Sequence, residues 1–188
     1  MKKVFGISLI TAITLFFAFS NYTNILAGDG PQYVGVKTCG MCHKKAKGGN
    51  QLKIWQDSKH AQAYKTLQTA EADKIVKEKG FTSKAVETPE CLECHTVAYN
   101  VDASLKGKKF KVEDGVQCEN CHGPGSKYKK KSTMKDHAKA VAAGLTEYKD
   151  ETTIKKQCET CHNKKSPTFK AFDFAKQWKE IAHEIPKK

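Results

Sequence analysis

Arginine is absent from this 188-residue sequence, and all 33 of its basic residues are lysines. The formal net charge of +13 would ordinarily suggest nucleic acid. No nucleic-acid-binding motif is present, however, so we expect no nucleic-acid partner. Cysteine is absent outside four short segments, which begin at residues 39, 91, 118 and 158. Their spacing follows no fixed period, which excludes a solenoid of regular repeats.

The four cysteine segments share the pattern C-x-x-C-H and use all eight cysteines of the chain. We call them motif one (39–43), motif two (91–95), motif three (118–122) and motif four (158–162). The pattern is the attachment signal for c-type haem. Two thiols three residues apart lie about one helical turn from each other. That spacing suits two thioether bonds to one porphyrin, and the next imidazole can then bind the iron.

The sequence therefore predicts four covalently bound haems c. The attaching residues would be Cys39, Cys42, Cys91, Cys94, Cys118, Cys121, Cys158 and Cys161, with His43, His95, His122 and His162 as proximal iron ligands. Zinc ribbons also use C-x-x-C pairs, but they do not require His directly after each pair. Disulfides do not explain these histidines, and a thioredoxin-like site needs one such pair rather than four.

The beginning of the chain has the features of a secretory signal peptide. A positively charged start precedes an apolar run, Val4–Phe19, and a small-residue cleavage site follows at Ala27 or, less favourably, at Ser20. A retained transmembrane anchor is the alternative, but the run is short for a span and has no stop-transfer flank. We predict a signal peptide at 1–27, a single tetrahaem domain at 28–188, and a periplasmic location, with an extracellular one as the alternative.

Four haems would change both the charge and the core of the exported chain. Removing Lys2 and Lys3 with the signal peptide leaves 31 lysines against 20 acidic residues, or +11. About eight haem propionates would reduce this to roughly +3. The remaining positive surface would steer an acidic redox partner. Hydrophobic residues make up only 39% of the chain, so the porphyrins must supply much of the core.

The pattern of apolar residues and helix breakers predicts a mainly α fold with long loops and little or no sheet. The segment Gln51–Lys79 lacks Gly and Pro and is predicted to form one long helix or two short ones. Thr133–Ala143 is predicted as a short helix. A last helix is expected to begin at Ser166-Pro167 and to end before Pro186.

Three histidines lie outside the motifs, namely His60, His137 and His183. Each falls in a predicted helix and is a candidate sixth ligand, since bis-His ligation is common in electron-transfer haems. Four irons and three histidines leave one iron short. Met134 is the realistic methionine candidate, because Met41 lies inside motif one and is poorly placed to cross the ring. A haem with an open sixth position and a histidine donated by another subunit are the alternatives.

Several segments around the motifs resemble the cytochrome c-554 family of tetrahaem proteins, best known as electron acceptors from hydroxylamine oxidoreductase. The segments that carry the resemblance are Tyr33-Val34-Gly35, Trp55, Ser58, His60-Ala61, Gly115–Ser126, and Ser166–Phe169 with the closing helix through His183. The resemblance covers nearly the whole exported chain and includes the order of the motifs.

The resemblance implies a mainly helical fold with haems stacked in close pairs. It also implies three bis-His haems and one five-coordinate haem, whose proximal ligand would be His95. One departure follows motif three, where many relatives have a ligand histidine nearby. Here that segment reads Lys127-Tyr128-Lys129-Lys130, and the next histidine is His137. The sequence has no C-x-x-C-K motif, which argues against the active site of pentahaem nitrite reductases.

The function favoured by these residues is electron transfer between redox proteins through four haems. No catalytic residue is identified, because no acid or base is recognisable beside an open haem. One alternative is an enzyme that reduces NO or a similar nitrogen oxide at the haem of His95. Another is self-association into an extracellular cytochrome filament.

Overall fold

The computed structural model describes residues 30–183. The predicted signal peptide and Pro186 lie outside these residues. The described chain folds into ten short α-helices: α1 (Val36–His43), α2 (Gln51–Asp57), α3 (Ala63–Leu67), α4 (Ala70–Glu78), α5 (Pro89–His95), α6 (Glu119–His122), α7 (Lys131–Met134), α8 (His137–Ala142), α9 (Glu151–Glu159) and α10 (Phe174–Ile181). Among these ten, none is long and apolar enough to cross a membrane.

Between the α-helices lie single 3-10 turns and loops. The 3-10 turns are Ala46–Gly48, Lys59–Gln62, Ala85–Glu87, Ala103–Leu105 and Val112–Asp114. Residues 30–183 contain no β-strand, and their one isolated bridge pairs Tyr33 with Lys106 in parallel. The prediction of a mainly helical fold with little or no sheet is confirmed.

The predicted helix at 51–79 is divided into three α-helices and a 3-10 turn. Ser58 leaves the helical region with ψ 160°, and its hydroxyl donates to the carbonyl of Trp55 at 2.7 Å. A short hydroxyl side chain that bonds its own backbone in this way competes with the helix. Thr69 makes the second break, because its side chain accepts the N–H of Ala72 and begins α4 as an N-cap. The helix does end before Gly80, which has the left-handed φ of +85°.

The expected helix start at Ser166-Pro167 is wrong. Phe169 N–H donates to Ser166 C=O at 3.1 Å, so Pro167 occupies the second position of a turn, where its fixed φ is equally suitable. Helix α10 instead begins after Asp173, whose side chain accepts the N–H of Lys176. Asp136 similarly caps α8 and divides the predicted helix at 133–143 into α7 and α8.

The apolar core that the described side chains form by themselves is small. Its one buried cluster consists of Leu67, Val76 and Ala85, with Cys91 and Leu92 of motif two packed against it. A cluster of this size is little for more than 150 ordered residues. Its size agrees with the expectation that porphyrins complete the core.

Candidate haem-binding site

Three of the four motifs end a helix at their histidine. Motif one closes α1, motif two closes α5 and motif three closes α6, whereas motif four begins at the end of α9. The entry to α1 depends on Gly35, which has φ +81° and whose missing Cβ would lie 2.6 Å from the carbonyl of Lys109. Pro89 begins α5 at a position where its missing N–H costs no helical hydrogen bond. All eight cysteines are free thiols.

Thiols of different motifs lie against each other. The Cys39 thiol lies close to the Cys118 thiol, and this proximity is the main cause of the raised pKa of Cys39. Burial and then the neighbouring Cys161 raise the pKa of Cys94 to about 12. Motif one therefore lies beside motif three, and motif two beside motif four.

A third contact joins these two pairs of motifs. Burial, followed by the nearby Cys158, raises the pKa of Cys121 to about 11. The Gln157 side chain also donates to the carbonyl of Asn120 at 3.1 Å. Motif three thus contacts motif four as well as motif one, and the four attachment sites form one continuous series: two, four, three, one.

Two of the three additional histidines face a motif histidine. The ring centroids of His60 and His162 are 6.1 Å apart, and those of His122 and His183 are 5.8 Å apart. A metal–imidazole bond of about 2 Å on each side, plus the radius of each ring, gives roughly the same separation for two imidazoles bound to one iron. Both ring pairs therefore have the spacing of axial ligands.

The paired histidines are held in the form that can bind a metal. Burial, then His183 and His43, lowers the pKa of His122 to about 4. Burial and then His162 lower the pKa of His60. These imidazoles are therefore neutral at neutral pH, as metal ligation requires. Phe172 stacks on the His162 ring with centroids 4.7 Å apart, so the orientation of that ring is set by packing.

Backbone carbonyls orient His95 and His183. The Nδ1 of His95 lies 2.8 Å from the carbonyl oxygen of Ala63, and the Nδ1 of His183 lies 3.0 Å from that of Ile181. A carbonyl oxygen only accepts, so Nδ1 carries the proton and Nε2 is free. Metal-binding histidines commonly have this arrangement. His183 lies beyond the end of α10 rather than on a helix as expected.

His137 has a different environment from His60 and His183. Its side chain is 67% exposed, and its Nε2 donates to a carboxylate oxygen of Glu147 at 2.9 Å. Within residues 30–183, the rings of His137, His43 and His95 make no ring-to-ring contact with another histidine. The structure therefore brings His60 and His183 to a motif histidine but does not bring His137 to one.

The two methionines named above and the tyrosine that follows motif three can be placed as well. Met41 is 57% exposed, and Met134 is the last residue of α7. Tyr128, which follows motif three, donates its hydroxyl to the carbonyls of Gly123 at 2.6 Å and His122 at 3.1 Å. Its hydroxyl therefore fixes the backbone after motif three.

Two buried side chains of motif three and its flank were not predicted to have a role. Gln117 accepts the N–H of Val36 at 2.7 Å and donates to the carbonyl of Lys111 at 3.0 Å. Glu119 accepts backbone N–H groups from the segment before α1 and from the loop after motif three. In the sequence, the only indication of a role was that two long polar residues lie in or next to a motif. The structure shows that both are buried.

The segment before motif three also holds His60. Val116 N–H donates to the His60 carbonyl at 3.1 Å, and the Trp55 indole donates to the Val116 carbonyl at 2.8 Å. Gly115 makes this approach possible, because a Cβ there would lie 2.8 Å from the same His60 carbonyl. The residues that carried the family resemblance around Trp55, His60 and Gly115 thus form one contact.

The residues present fit haem c. Each motif offers two free thiols and a histidine, and two of the motif histidines face a second imidazole at axial spacing. In the described part of the chain, no three His, Cys, Asp or Glu side chains are grouped to hold a metal ion. Haem iron takes at most two protein ligands, so such a group is not required.

A mainly helical chain whose C-x-x-C-H helices present paired thiols and a histidine is a c-type cytochrome, an electron carrier with covalently bound haem c. The family model for cytochrome c554 and c-prime matches residues 38–123, which contain motifs one to three. Cytochrome c-554 of Nitrosomonas europaea is 28% identical over 172 residues, covering 86% of this chain and 69% of that protein. These matches show that the chain is similar to members of the cytochrome c-554 family. No solved structure matches it.

Proposed function

We propose that this protein is an exported tetrahaem cytochrome that passes electrons between two redox proteins. The observation that carries the proposal is the spacing of the two histidine ring pairs, 6.1 Å and 5.8 Å between centroids. Ligation by two histidines leaves the coordination of the iron unchanged on reduction, which suits electron transfer rather than substrate binding. Haem iron supplies the one-electron couple when bound.

The chain provides sixth ligands for the haems of motifs three and four. His183 serves the haem of His122, and His60 serves the haem of His162. The free Nε2 of His183 and the neutral imidazole of His60 support these roles. The pairing also joins distant parts of the sequence, since each sixth ligand lies about 60 to 100 residues from its partner.

His137 is our candidate for the sixth ligand at motif one. Its Nε2 is bonded to Glu147, so Nδ1 is the nitrogen left free in the neutral ring. A metal-binding histidine often donates its other N–H to a carboxylate, which orients the ring and increases its basicity. The Glu147 contact therefore supports ligation through Nδ1.

The haem of His95 is then the one without a sixth histidine. Its proximal ring is oriented by the Ala63 carbonyl, and the other six of the chain's seven histidines have another assignment. A small ligand such as NO could bind at this haem. The second candidate function, reduction of NO there, is favoured only by this surplus of one iron over the available histidines.

The contacts between motifs supply a route for electrons. Motifs two, four, three and one follow one another in space, so attached haems would lie close enough to exchange electrons in that order. Exposed lysines favour acidic redox partners. The apolar start of the chain supports export to the periplasm. With the signal peptide removed, the tetrahaem domain would span 28–188.

Haem content and spin state test the proposal directly. The chain is expressed in a host with full c-haem attachment machinery, and intact-mass spectrometry should show four haems per chain. Electron paramagnetic resonance of the ferric protein should show three low-spin haems and one high-spin haem. Fewer than four haems, or four low-spin haems, would contradict the proposed coordination.

The assignment of His137 has its own test. His137→Ala should convert one further haem to high spin, and Glu147→Gln should weaken but not abolish the low-spin signal. His183→Ala is the matched comparison, since its ring is already paired with a motif histidine. An unchanged spectrum for His137→Ala, together with a changed one for His183→Ala, would remove His137 from the ligand set.

A further inference from the structure

Glu119 lies between the two cysteines of motif three, and only 3% of its surface is exposed. Its carboxylate accepts the N–H groups of Val34, at 2.8 and 3.0 Å, and of Gly35, at 2.8 Å. A third donor is the N–H of Gly125, at 2.7 Å. Both oxygens accept hydrogen bonds, which is the bonding pattern of a carboxylate. Backbone N–H groups stabilise this charge, and they carry no net charge that would cancel it.

The buried carboxylate lies between two attachment sites. Val34 and Gly35 lead directly into α1, which carries motif one, and Glu119 itself is part of motif three. The thiols of Cys39 and Cys118 are in contact beside it. A single negative charge is thus fixed next to the cysteines that would attach two different haems.

Tyr33 lies close enough to Glu119 for this charge to affect it. Burial and then the charge of Glu119 raise the pKa of Tyr33. Removing a proton from a phenol and adding an electron to an iron both leave one more negative charge nearby. In a site shielded from water, a fixed anion opposes both changes.

We propose that Glu119 lowers the reduction potentials of the haems attached at motifs one and three by holding a buried negative charge between them. The proposal rests on the tetrahaem assignment above. Reduction transfers one electron from the redox partner to a ferric iron and breaks no bond, so Glu119 acts only through its charge. The expected consequence is a potential difference between this pair of haems and the pair at motifs two and four.

Motif four provides a matched control within the same chain. Glu159 occupies the same position in its motif, C-E-x-C-H, but its side chain is 46% exposed and lies 3.7 Å from the ammonium group of Lys155. Water screens an exposed charge, whereas a buried charge is screened much less. Glu159→Gln therefore removes the same charge from the same motif position at an exposed site.

The experiment is a potentiometric titration of the holoprotein followed by visible absorbance and electron paramagnetic resonance. In Glu119→Gln, two of the four haems should become easier to reduce. At fixed potential their ratio of reduced to oxidised form should rise about tenfold, equivalent to about 59 mV for a one-electron couple. Glu159→Gln should shift no haem by as much as threefold.

Glu119→Asp distinguishes the effect of the negative charge from that of side-chain length. It keeps the carboxylate but has one methylene fewer. Potentials close to those of the unsubstituted protein support the proposal, whereas a shift as large as that of Glu119→Gln overturns it. If Glu119→Gln is not recovered with its haems, a shift of about tenfold or more in Glu119→Asp overturns the proposal, and a shift below about threefold supports it. Equal potentials in Glu119→Gln and Glu159→Gln, with four haems attached in each, would also overturn the proposal. A chain with fewer than four haems would instead count against the tetrahaem assignment.

Discussion

The chain contains the same six-residue pattern, Q-C-E-x-C-H, at 117–122 and at 157–162, and the two copies lie in opposite environments. At 117–122 the Gln and Glu side chains are buried; Gln117 bonds the first residue of α1, and Glu119 bonds the backbone just before it. At 157–162 the Gln side chain is partly buried and the Glu side chain forms an exposed pair with Lys155. The shared letters therefore specify the attachment chemistry, and the flanking residues determine the packing.

The residues that follow each copy account for much of this difference. Gly123-Pro124-Gly125 turns the chain back so that Gly125 N–H reaches Glu119. Gly123 has φ +76°, and a Cβ there would lie 2.9 Å from the Gly144 carbonyl. After 157–162, Asn163 instead donates its side-chain amide to the carbonyls of Glu159 and Thr160. That local closure leaves Glu159 exposed.

Removing a sixth ligand should have the largest effect on the haem spin state. The effect should be the same at both copies of the Q-C-E-x-C-H pattern. His183→Ala removes the ring facing His122, and His60→Ala removes the ring facing His162. Each variant should convert one haem completely from low to high spin, because an iron with one histidine has a weaker ligand field. Electron paramagnetic resonance of the ferric proteins measures this, and added imidazole should restore the low-spin signal. A low-spin haem retained in either variant would show that the ring pair is not an axial pair.

The sequence indicates the chemistry proposed for this site, but it does not indicate the contacts that assemble the site. Each C-x-x-C-H motif is local, so its thiols and histidine were identifiable from spacing alone, and the helical class followed from the pattern of helix breakers. The ring pairs join His60 to His162 and His122 to His183 across long separations, which no local pattern reports. Short side-chain caps at Ser58, Thr69 and Asp173 also decided helix limits that apolar spacing had placed elsewhere.

Alanine substitution should lower the free energy of unfolding much more at Glu119 than at Glu159. Glu119→Ala leaves the buried N–H groups of Val34, Gly35 and Gly125 without an acceptor. Each unsatisfied buried group costs about 1–3 kcal/mol, so we expect a loss of about 3 kcal/mol or more. Glu159→Ala removes an exposed i,i+4 pair, worth about 0.5 kcal/mol at most. Guanidinium unfolding of the holoproteins, followed by circular dichroism, measures both values.

Equal losses for the two glutamate variants would contradict the burial difference on which the comparison depends. Glu119→Gln is the useful intermediate, because one amide oxygen can still accept while the amide nitrogen faces a donor. Its stability should fall between those of the unsubstituted protein and Glu119→Ala. A Gln variant as stable as the unsubstituted protein would show that shape, rather than the second acceptor oxygen, holds the segment before α1.

Alanine substitution of the two glutamines should also lower stability more at 117 than at 157, but by smaller amounts than for the glutamates. Gln117→Ala removes an acceptor from the buried N–H of Val36, the first residue of α1, and a donor from the Lys111 carbonyl, so about 1–3 kcal/mol should be lost. Gln157→Ala removes one partly buried bond to Asn120 and should cost about 1 kcal/mol or less. The unfolding midpoints of the two holoproteins compare them under identical conditions. If Gln157→Ala is the more damaging change, the contact between motifs three and four matters more to the fold than the entry to α1 does.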